Sequence, residues 1–382
     1  MGFHKVPVEI LELILLRLDS PICLVRASST CKQWRQIIAG AAFLQRFRSL
    51  HEPQVVGSYH NTRILPARPR FEPSPPPTSA SCPLSPTIKS RYLSLDFLPV
   101  NDSTLCSWKI RNSRGHLLLL DYGTYRGLRD TGLFICEPLT RLYQKIPPLT
   151  ASPPEYHQFD AFLLDSAEPG DISMSNFMIF CLYLPDGIAG IFTSGGSWRK
   201  VSIDHVPSME YFGFAAGSLY YYSYRRTVYT LDQGATEFSS SLLPDADAED
   251  FDQPLFVSKL AATAGHDGKA RIFFLDAGDN LKILARKIDS RGGSDWMPEK
   301  NIQLSAAMLG VPSYQQCYFI WSPPFCIRQT VDTVRIFVST GQKDGWSVFR
   351  LDIETQQLER TTYPAGYAIK LPWPPSLQAC LH

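Results

Sequence analysis

From Arg91 onward the chain consists of short apolar or alternating runs, and this punctuation limits its fold more than any other feature. The runs are YLSLDFL, HLLLLDY, LFICE, FMIFCLYL, IAGIFTS, SLYYYSY, VYTLD, RIFFLDA, LKILARK, VRIFVST and WSVFRLD. Each has strand length and is rich in the aromatic and β-branched side chains that suit a pleated, half-buried surface. Turn residues rather than helical patterns separate them, as at Asn112 to Gly115, Asp186 and Gly187, Asp267 and Gly268, and Asp344 and Gly345. Residues of this kind tolerate the backbone angles of tight turns, so antiparallel hairpins are implied.

One phrase recurs through this region: an apolar strand ending on a polar residue, a Thr or Gly turn, an aromatic or apolar residue, and a proline. LFICEPLTRLYQKIPP carries it through Glu137, Thr140, Tyr143 and Pro147; VYTLDQGATEFSSSLLP through Asp232, Thr236, Phe238 and Pro244. WSVFRLDIETQQLERTTYP repeats it through Asp352, Thr355, Leu358 and Pro364, and looser copies end on Trp198 and Trp296. About five copies at spacings of roughly 40 to 60 residues suit four-stranded units arranged around an axis. The expected fold is therefore a mainly antiparallel all-β domain, a β-propeller of about six blades. A β-sandwich built of hairpin meanders is the alternative that the same alternation allows.

Residues 6 to 18, VPVEILELILLRL, have a different period. Pro7 fits the start of a helix, where its missing N–H costs nothing, and Ile10, Leu11, Ile14, Leu15 and Leu18 follow at helical spacing. Leu13 and Leu16 widen the apolar arc beyond one core face, leaving only Glu9, Glu12 and Arg17 polar. A short helix this apolar must be covered from two sides, by its own domain and by a partner. Asp19, Ser20 and Pro21 break it, and ICLVRAS forms a second helix of two turns. Thr30 and Gln33 have capping-box spacing, which predicts a third helix over CKQWRQII presenting Cys31, Trp34 and Ile38, with Phe43 and Phe47 as anchors beyond it. The same pattern, taken alone, also allows a plain helical cap on the domain that follows.

A proline followed by EILELILLRL, then Pro21 with CLVRASSTCKQWRQII and AAFLQRF, resembles an F-box. Val6 stands where the family usually has Leu before the first proline, a change conservative in size and polarity. The resemblance covers residues 1–50 and implies a three-helix hook whose apolar surface packs on the carboxy-terminal helices of the adaptor Skp1, and through it joins a cullin. Carried onto matching positions, it implies that Pro7, Ile10, Leu11, Ile14, Leu15, Leu24, Val25, Cys31 and Trp34 contact the adaptor or hold the contacting surface. GHLLLL and FICEPLTRLYQKIPP are similar to the F-box-associated regions of plant F-box proteins, whereas neither the WD dipeptide nor the paired glycines of kelch repeats recur.

The chain as a whole thus reads as α+β: an F-box helical module over 1–50, a proline-rich linker over 51–90 and a β-propeller-like domain over 91–382. The linker assignment follows from PARPRFEPSPPPTSASCPLSP, whose prolines exclude helix interiors and central strands. Such a spacer is semi-rigid, and it either sets a distance between the two parts or packs along the large domain.

Formal net charge is +1, so no global field is available to hold nucleic acid or an anionic membrane. Nine cysteines, an odd number without a CxxC pair, read as reduced thiols, and no apolar run approaches a bilayer span; the cytosol or nucleus is expected. No GxSxG elbow, P-loop, GxGxxG, HExxH or EF-hand loop occurs. No catalytic, metal or cofactor residue is therefore assigned. The weaker candidates are His205 beside Asp204, His266 beside Asp267, the acidic run Asp245 to Asp252, the rings from Tyr211 to Tyr224 with Arg225 and Arg226, and Trp321 and Trp373.

The expected function is substrate recognition for an Skp1-cullin-F-box ubiquitin ligase, the β-domain binding an unknown protein target. The alternatives are an Skp1-bound scaffold or small-molecule sensor outside ubiquitin transfer and, more remotely, a β-propeller enzyme.

Overall fold

The computed structural model describes residues 7–18, 21–51, 55–62, 68–73, 90–99, 106–124, 132–150, 158–164, 172–184, 188–202, 209–223, 227–232, 237–244, 260–264, 267–275, 280–288, 294–304, 326–330, 333–339, 346–352, 358–361 and 366–370. The amino-terminal module holds four helices: α1 (Val8–Leu16), α2 (Pro21–Thr30), α3 (Lys32–Ile38) and α4 (Ala41–Leu50). The sequence predicted three. The fourth forms because Phe43 and Phe47, one turn apart, drop into a core of Leu15, Leu16, Leu24, Ala27 and Ile38. A charge pair from Arg46 to Glu12 at 2.6 Å and a contact between His51 Nε2 and the Leu16 carbonyl at 2.7 Å tie α4 and its end to α1.

Two local expectations need correction. Helix α2 runs for ten residues rather than two turns. The capping box does not form: Cys31 is the N-cap of α3, with extended φ of −156° and no side-chain cap bond. The Thr30 hydroxyl donates instead to the Ala27 carbonyl at 2.7 Å, closing the end of α2.

The β-domain begins with the hairpin β1 (Val55–His60) and β2 (Arg70–Pro73), followed by a 3₁₀ turn over Ser90–Leu93. A first meander comprises β3 (Cys106–Arg114), β4 (Leu117–Thr124), β5 (Gly132–Glu137) and β6 (Leu142–Ile146). The second is β7 (Gln158–Leu164), β8 (Met178–Leu184), β9 (Ile188–Thr193) and β10 (Trp198–Ser202). The third is β11 (Glu210–Ala215), β12 (Ser218–Ser223), β13 (Thr227–Asp232) and β14 (Ser239–Leu242). The fourth is β15 (Leu260–Ala264), β16 (Ala270–Leu275), β17 (Asn280–Ile288) and β18 (Ser294–Gln303). The fifth is β19 (Cys326–Thr330), β20 (Thr333–Ser339), β21 (Trp346–Asp352) and β22 (Leu358–Thr361). Within each meander every neighbouring pair is antiparallel; one parallel pair, Gly213 with Ala262, joins the third to the fourth.

The last strand, β23 (Tyr367–Lys370), pairs with β1, giving a sheet of order β2-β1-β23. Strands from the two ends of the chain thus complete one sheet. This corrects the expected linker over 51–90: β1 and β2 lie inside it yet belong to the β-domain. The prolines around them concealed a strand whose burial alternates, with Tyr59 fully buried. The proline-rich residues 74–89 lie outside the described residues, between β2 and the 3₁₀ turn. What separates α4 from β1 is residues 51–54.

Successive sheets pack face to face, so central strands are buried on both sides. In β4, Leu118 and Leu120 face a cluster with Tyr59, Trp108 and Ile369, while Leu117 and Leu119 face Leu163, Ile179 and Phe192. In β12, Leu219 and Tyr221 join Phe162 and Leu182, while Tyr220 and Tyr222 join Ile272 and Trp296. Alternation by two residues with an apolar cluster on each face explains why these strands read as continuous apolar runs. The last strand, β23, lies against β3, and first strands of successive meanders are neighbours as well: β3 against β7, β11 against β15, and β15 against β19. Two packed sheets of a sandwich are not what this pairing gives.

Candidate functional site

The exposed face of α1 is the most pronounced apolar feature of the helical module. Leu11, Leu15 and Leu16 are buried, whereas Val8, Ile10, Leu13 and Ile14 are 49%, 49%, 55% and 50% exposed. Ile10, Leu13 and Ile14 stand at three- and four-residue steps and form one stripe. Four large aliphatic residues in seven positions, half open to water, make a surface that calls for a partner.

This geometry sorts the residues singled out by the sequence. Leu15 and Leu24 form the module's core, Leu11 is also buried, and Trp34 is half-buried against that core. Pro7, Ile10, Ile14 and Cys31 are exposed. Val25 lies in α2, and its side chain is outside the described residues. Val8 and Leu13 were missed as surface residues; the signal for Leu13 was the width of the apolar arc itself.

The weaker sequence candidates fare differently. Tyr220, Tyr221 and Tyr222 are core residues, 0%, 0% and 3% exposed, so this part of the aromatic run is not a recognition surface. Asp267 pairs with Arg271 at 2.7 Å, and Glu299 holds the same guanidinium at 2.6 Å. Hydrogen bonding to Arg271 lowers the titration of both carboxylates. Asp204, His205, His266, Asp245 to Asp250, Asp252, Tyr224, Arg225, Arg226, Trp321 and Trp373 lie outside the described residues. Among the described residues, no three His, Cys, Asp or Glu side chains are grouped to hold a metal ion, and no helix is long and apolar enough to cross a membrane.

A second polar feature, which the sequence did not reveal, lies on the first strands of three consecutive meanders. Arg111 of β3 reaches Asp121 Oδ2 through Nε at 2.7 Å and through Nη2 at 2.5 Å, leaving Asp121 Oδ1 buried without a hydrogen-bond partner. Asp160 of β7 is partly buried, and its Oδ2 also has no partner. Burial pushes the Asp160 carboxyl up to about 6, against the opposing charge of Arg111 and with the help of Glu210 on β11. The Tyr221 hydroxyl is likewise buried and unpartnered, and its titration is driven upward by burial and then by the charge of Asp160. The sequence signal was a single carboxylate inside the strand-length run QFDAFLL.

The repeat phrase also has a geometric basis. Glu137, at the end of β5, accepts a hydrogen bond from the Thr140 hydroxyl at 2.8 Å and faces His116 Nε2 at 3.5 Å. Asp232, at the end of β13, accepts one from Ser218 at 2.6 Å. His116 and Ser218 each follow a positive-φ glycine, Gly115 at 59° and Gly217 at 78°. A polar residue closing the third strand thus ties back to the turn that opens the second.

Residues 3–48 match the F-box-like family model, the segment that carries α1 to α3 and most of α4. No curated protein matches the chain. Among solved structures it is similar to the hydrazine synthase of Kuenenia stuttgartiensis, with 12% identity and a TM-score of 0.29 over 54% of this chain and 51% of that one. It is also similar to a chain of a mitotic checkpoint complex, with 9% identity and a TM-score of 0.34 over 64% of this chain and 60% of that one. The chain therefore spans between half and three-fifths of the length of these two structures.

Proposed function

We propose that this chain is the substrate-recognition subunit of an Skp1-cullin-F-box ubiquitin ligase. The observation that carries the proposal is the exposed stripe of Ile10, Leu13 and Ile14 on α1, within the segment matched by the F-box-like family model. The adaptor covers that stripe, while Leu11, Leu15 and Leu24 hold the helix in place behind it. Apolar anchors that become fully desolvated supply most of the energy in interfaces of this kind.

The β-domain, in this reading, is a six-bladed propeller: five four-stranded meanders and the sheet of β1, β2 and β23 that joins the chain's ends. Clusters between consecutive sheets and neighbouring first strands support the ring. Such a rigid body presents its loops and strand ends to a protein target, holding it near the charged ubiquitin-transfer enzyme, and does no bond chemistry of its own. Cytosol or nucleus is the compartment that suits its free thiols, Cys136 and Cys181 among them.

The test is reconstitution with Skp1 and a cullin. Co-elution of the full chain with both partners in one complex, and ligase-dependent ubiquitin transfer to a captured target, is the expected result. An Skp1 complex that never supports transfer points instead to a scaffold outside the ubiquitin pathway.

A further inference from the structure

We propose that the outer edge of β6, with the rings of Phe97 and Tyr143 beside it, is a docking site for an extended acidic segment of a target protein, which adds to the four-stranded first meander as one more strand. The inference rests on the receptor reading for the source of that segment.

Strand β6 ends its sheet: the order is β3-β4-β5-β6, and among the described residues β6 pairs with β5 alone. Alternate residues of such an edge turn their N–H and C=O groups outward, ready to pair with another strand. Other outermost strands are guarded. Strand β18 carries Pro298 beside a register shift in its ladder, β14 lies against β18, and β10 shows Arg199 and Lys200 to water. Strand β6 instead shows Leu142 and Tyr143, 53% and 45% exposed. An edge that keeps two large apolar residues in water is open to strand addition.

Tyr143 belongs to a braced aromatic surface. It lies opposite Cys136, and Lys145 lies opposite Phe134, so both side chains share the face that holds Trp108 and Leu120. The Tyr143 ring is 6.4 Å from that of Phe97 and 6.4 Å from that of Phe134. Arg141 lies over Phe97 at 5.4 Å and donates to Asp96 at 2.5 Å, fixing the surface before any partner arrives. Preorganised aromatic and arginine side chains are the usual anchors of an interface.

Charge selects the occupant. Asp96 answers Arg141, and Glu137 is buried against Thr140 and His116. Lys145 is exposed and has no ion pair among the described residues. It turns away any strand that does not bring an opposite charge. An antiparallel strand with an acidic residue opposite Lys145 and an apolar one opposite Tyr143 satisfies the ammonium and covers the ring on one face. A second copy of β6 is disfavoured, because it sets another basic edge against the first.

The test uses the full chain without adaptor. Calorimetry follows titration with an acetylated, amidated, threonine-rich heptapeptide that carries one glutamate and, two residues on, one leucine. Saturable binding is expected, with amide exchange slowed over residues 142–146 and unchanged over 198–202. Methylating the backbone nitrogens of alternate peptide residues abolishes binding in one register and spares it in the other, as an added strand requires. Tyr143→Ser and Lys145→Glu each lower affinity at least about tenfold, while Arg199→Glu on β10 leaves it unchanged. Lysine in place of the peptide's glutamate restores binding to the Lys145→Glu variant. No binding by the folded chain, binding indifferent to both methylation patterns, or protection over 198–202 instead overturns the site. A dimer that forms with rising concentration and is lost in Tyr143→Ser overturns it in favour of a second copy. Because no adaptor is present, failure here leaves Skp1 docking as it stands, and loss of Skp1 docking leaves this titration as it stands.

Discussion

The side-chain amide of Asn61 pairs with the backbone of Ile110 as a strand would: its Oδ1 accepts from the Ile110 N–H at 2.8 Å, and its Nδ2 donates to the Ile110 carbonyl at 3.0 Å. Asn112 makes a similar link one meander on, its Oδ1 accepting from the Leu163 N–H at 3.3 Å. The ladder between β3 and β4 shifts register between Ile110 and Asn112, so β3 is irregular at the point where these amides act. Asparagine side chains thus stitch successive sheets together where the sheets themselves do not pair.

Asn61→Ala leaves both backbone groups of Ile110 without that partner. It is expected to cost about 2 kcal/mol of β-domain stability, read from denaturant unfolding, because an orphaned buried backbone group costs about 1–3 kcal/mol. Asn61→Asp keeps the acceptor but turns a carboxylate oxygen toward the Ile110 carbonyl, so it is expected to destabilise as well.

The sheet that joins the chain's ends makes a distinct prediction. Ile369 of β23 is buried in the same cluster as Tyr59 of β1 and Trp108 of β3. Ile369→Ala should destabilise the domain by about 3 kcal/mol, as for other buried aliphatic truncations. Thermal unfolding of the whole β-domain in one earlier transition is the expected readout; loss of β1 and β23 alone, seen by hydrogen exchange, contradicts a cooperative ring.

Asp160 fixes a pH dependence. Its carboxyl is raised from 3.8 to about 6, so the folded chain binds more protons than the unfolded one between these values. Stability is therefore present below about pH 4 and falls as pH rises through about 6, by about 3 kcal/mol at most. Asp160→Asn removes this loss: at neutral pH the variant is more stable than the parent, and the difference vanishes near pH 3.5. Paired urea titrations at the two pH values check it.

Removing residues 74–89 addresses the corrected domain boundary. Because residues 51–54 are all that separates α4 from β1, replacing 74–89 with a short glycine-serine loop should leave both Skp1 affinity and unfolding temperature unchanged. A fall in adaptor affinity returns this stretch to the role of a linker.

How much of this was legible in the sequence depends on how many faces each element buries. Strands β4, β8 and β12 announced themselves as HLLLL, FMIFCLYL and SLYYYS because neighbouring sheets cover both sides of each. Strand β1 was hidden: it includes Gly57, where an added Cβ meets the Glu72 carbonyl at 2.3 Å, and it sits among prolines that dominate the local composition. The fourth helix was hidden in part by Gly40, which starts it as an N-cap rather than ending the module. On α1 the sequence marked the apolar residues, and only packing separated Leu15, which supports the helix, from Leu13 and Ile14, which face water. The Asp160 group was illegible because its members come from β3, β4, β7, β11 and β12, and pairing of distant strands is not written in local spacing.

The most direct measurement of the account is Skp1 binding by the full chain carrying Leu13→Asp and Ile14→Asp, beside a Leu142→Asp control. Leu142 is 53% exposed on β6, so the control places a charge on an equally open apolar residue outside the hook. The account predicts that the double variant folds normally, by circular dichroism, and loses at least about 2 kcal/mol of Skp1 affinity while the control binds as the parent does. Undiminished binding by the double variant, or no binding by the folded parent, contradicts docking through α1.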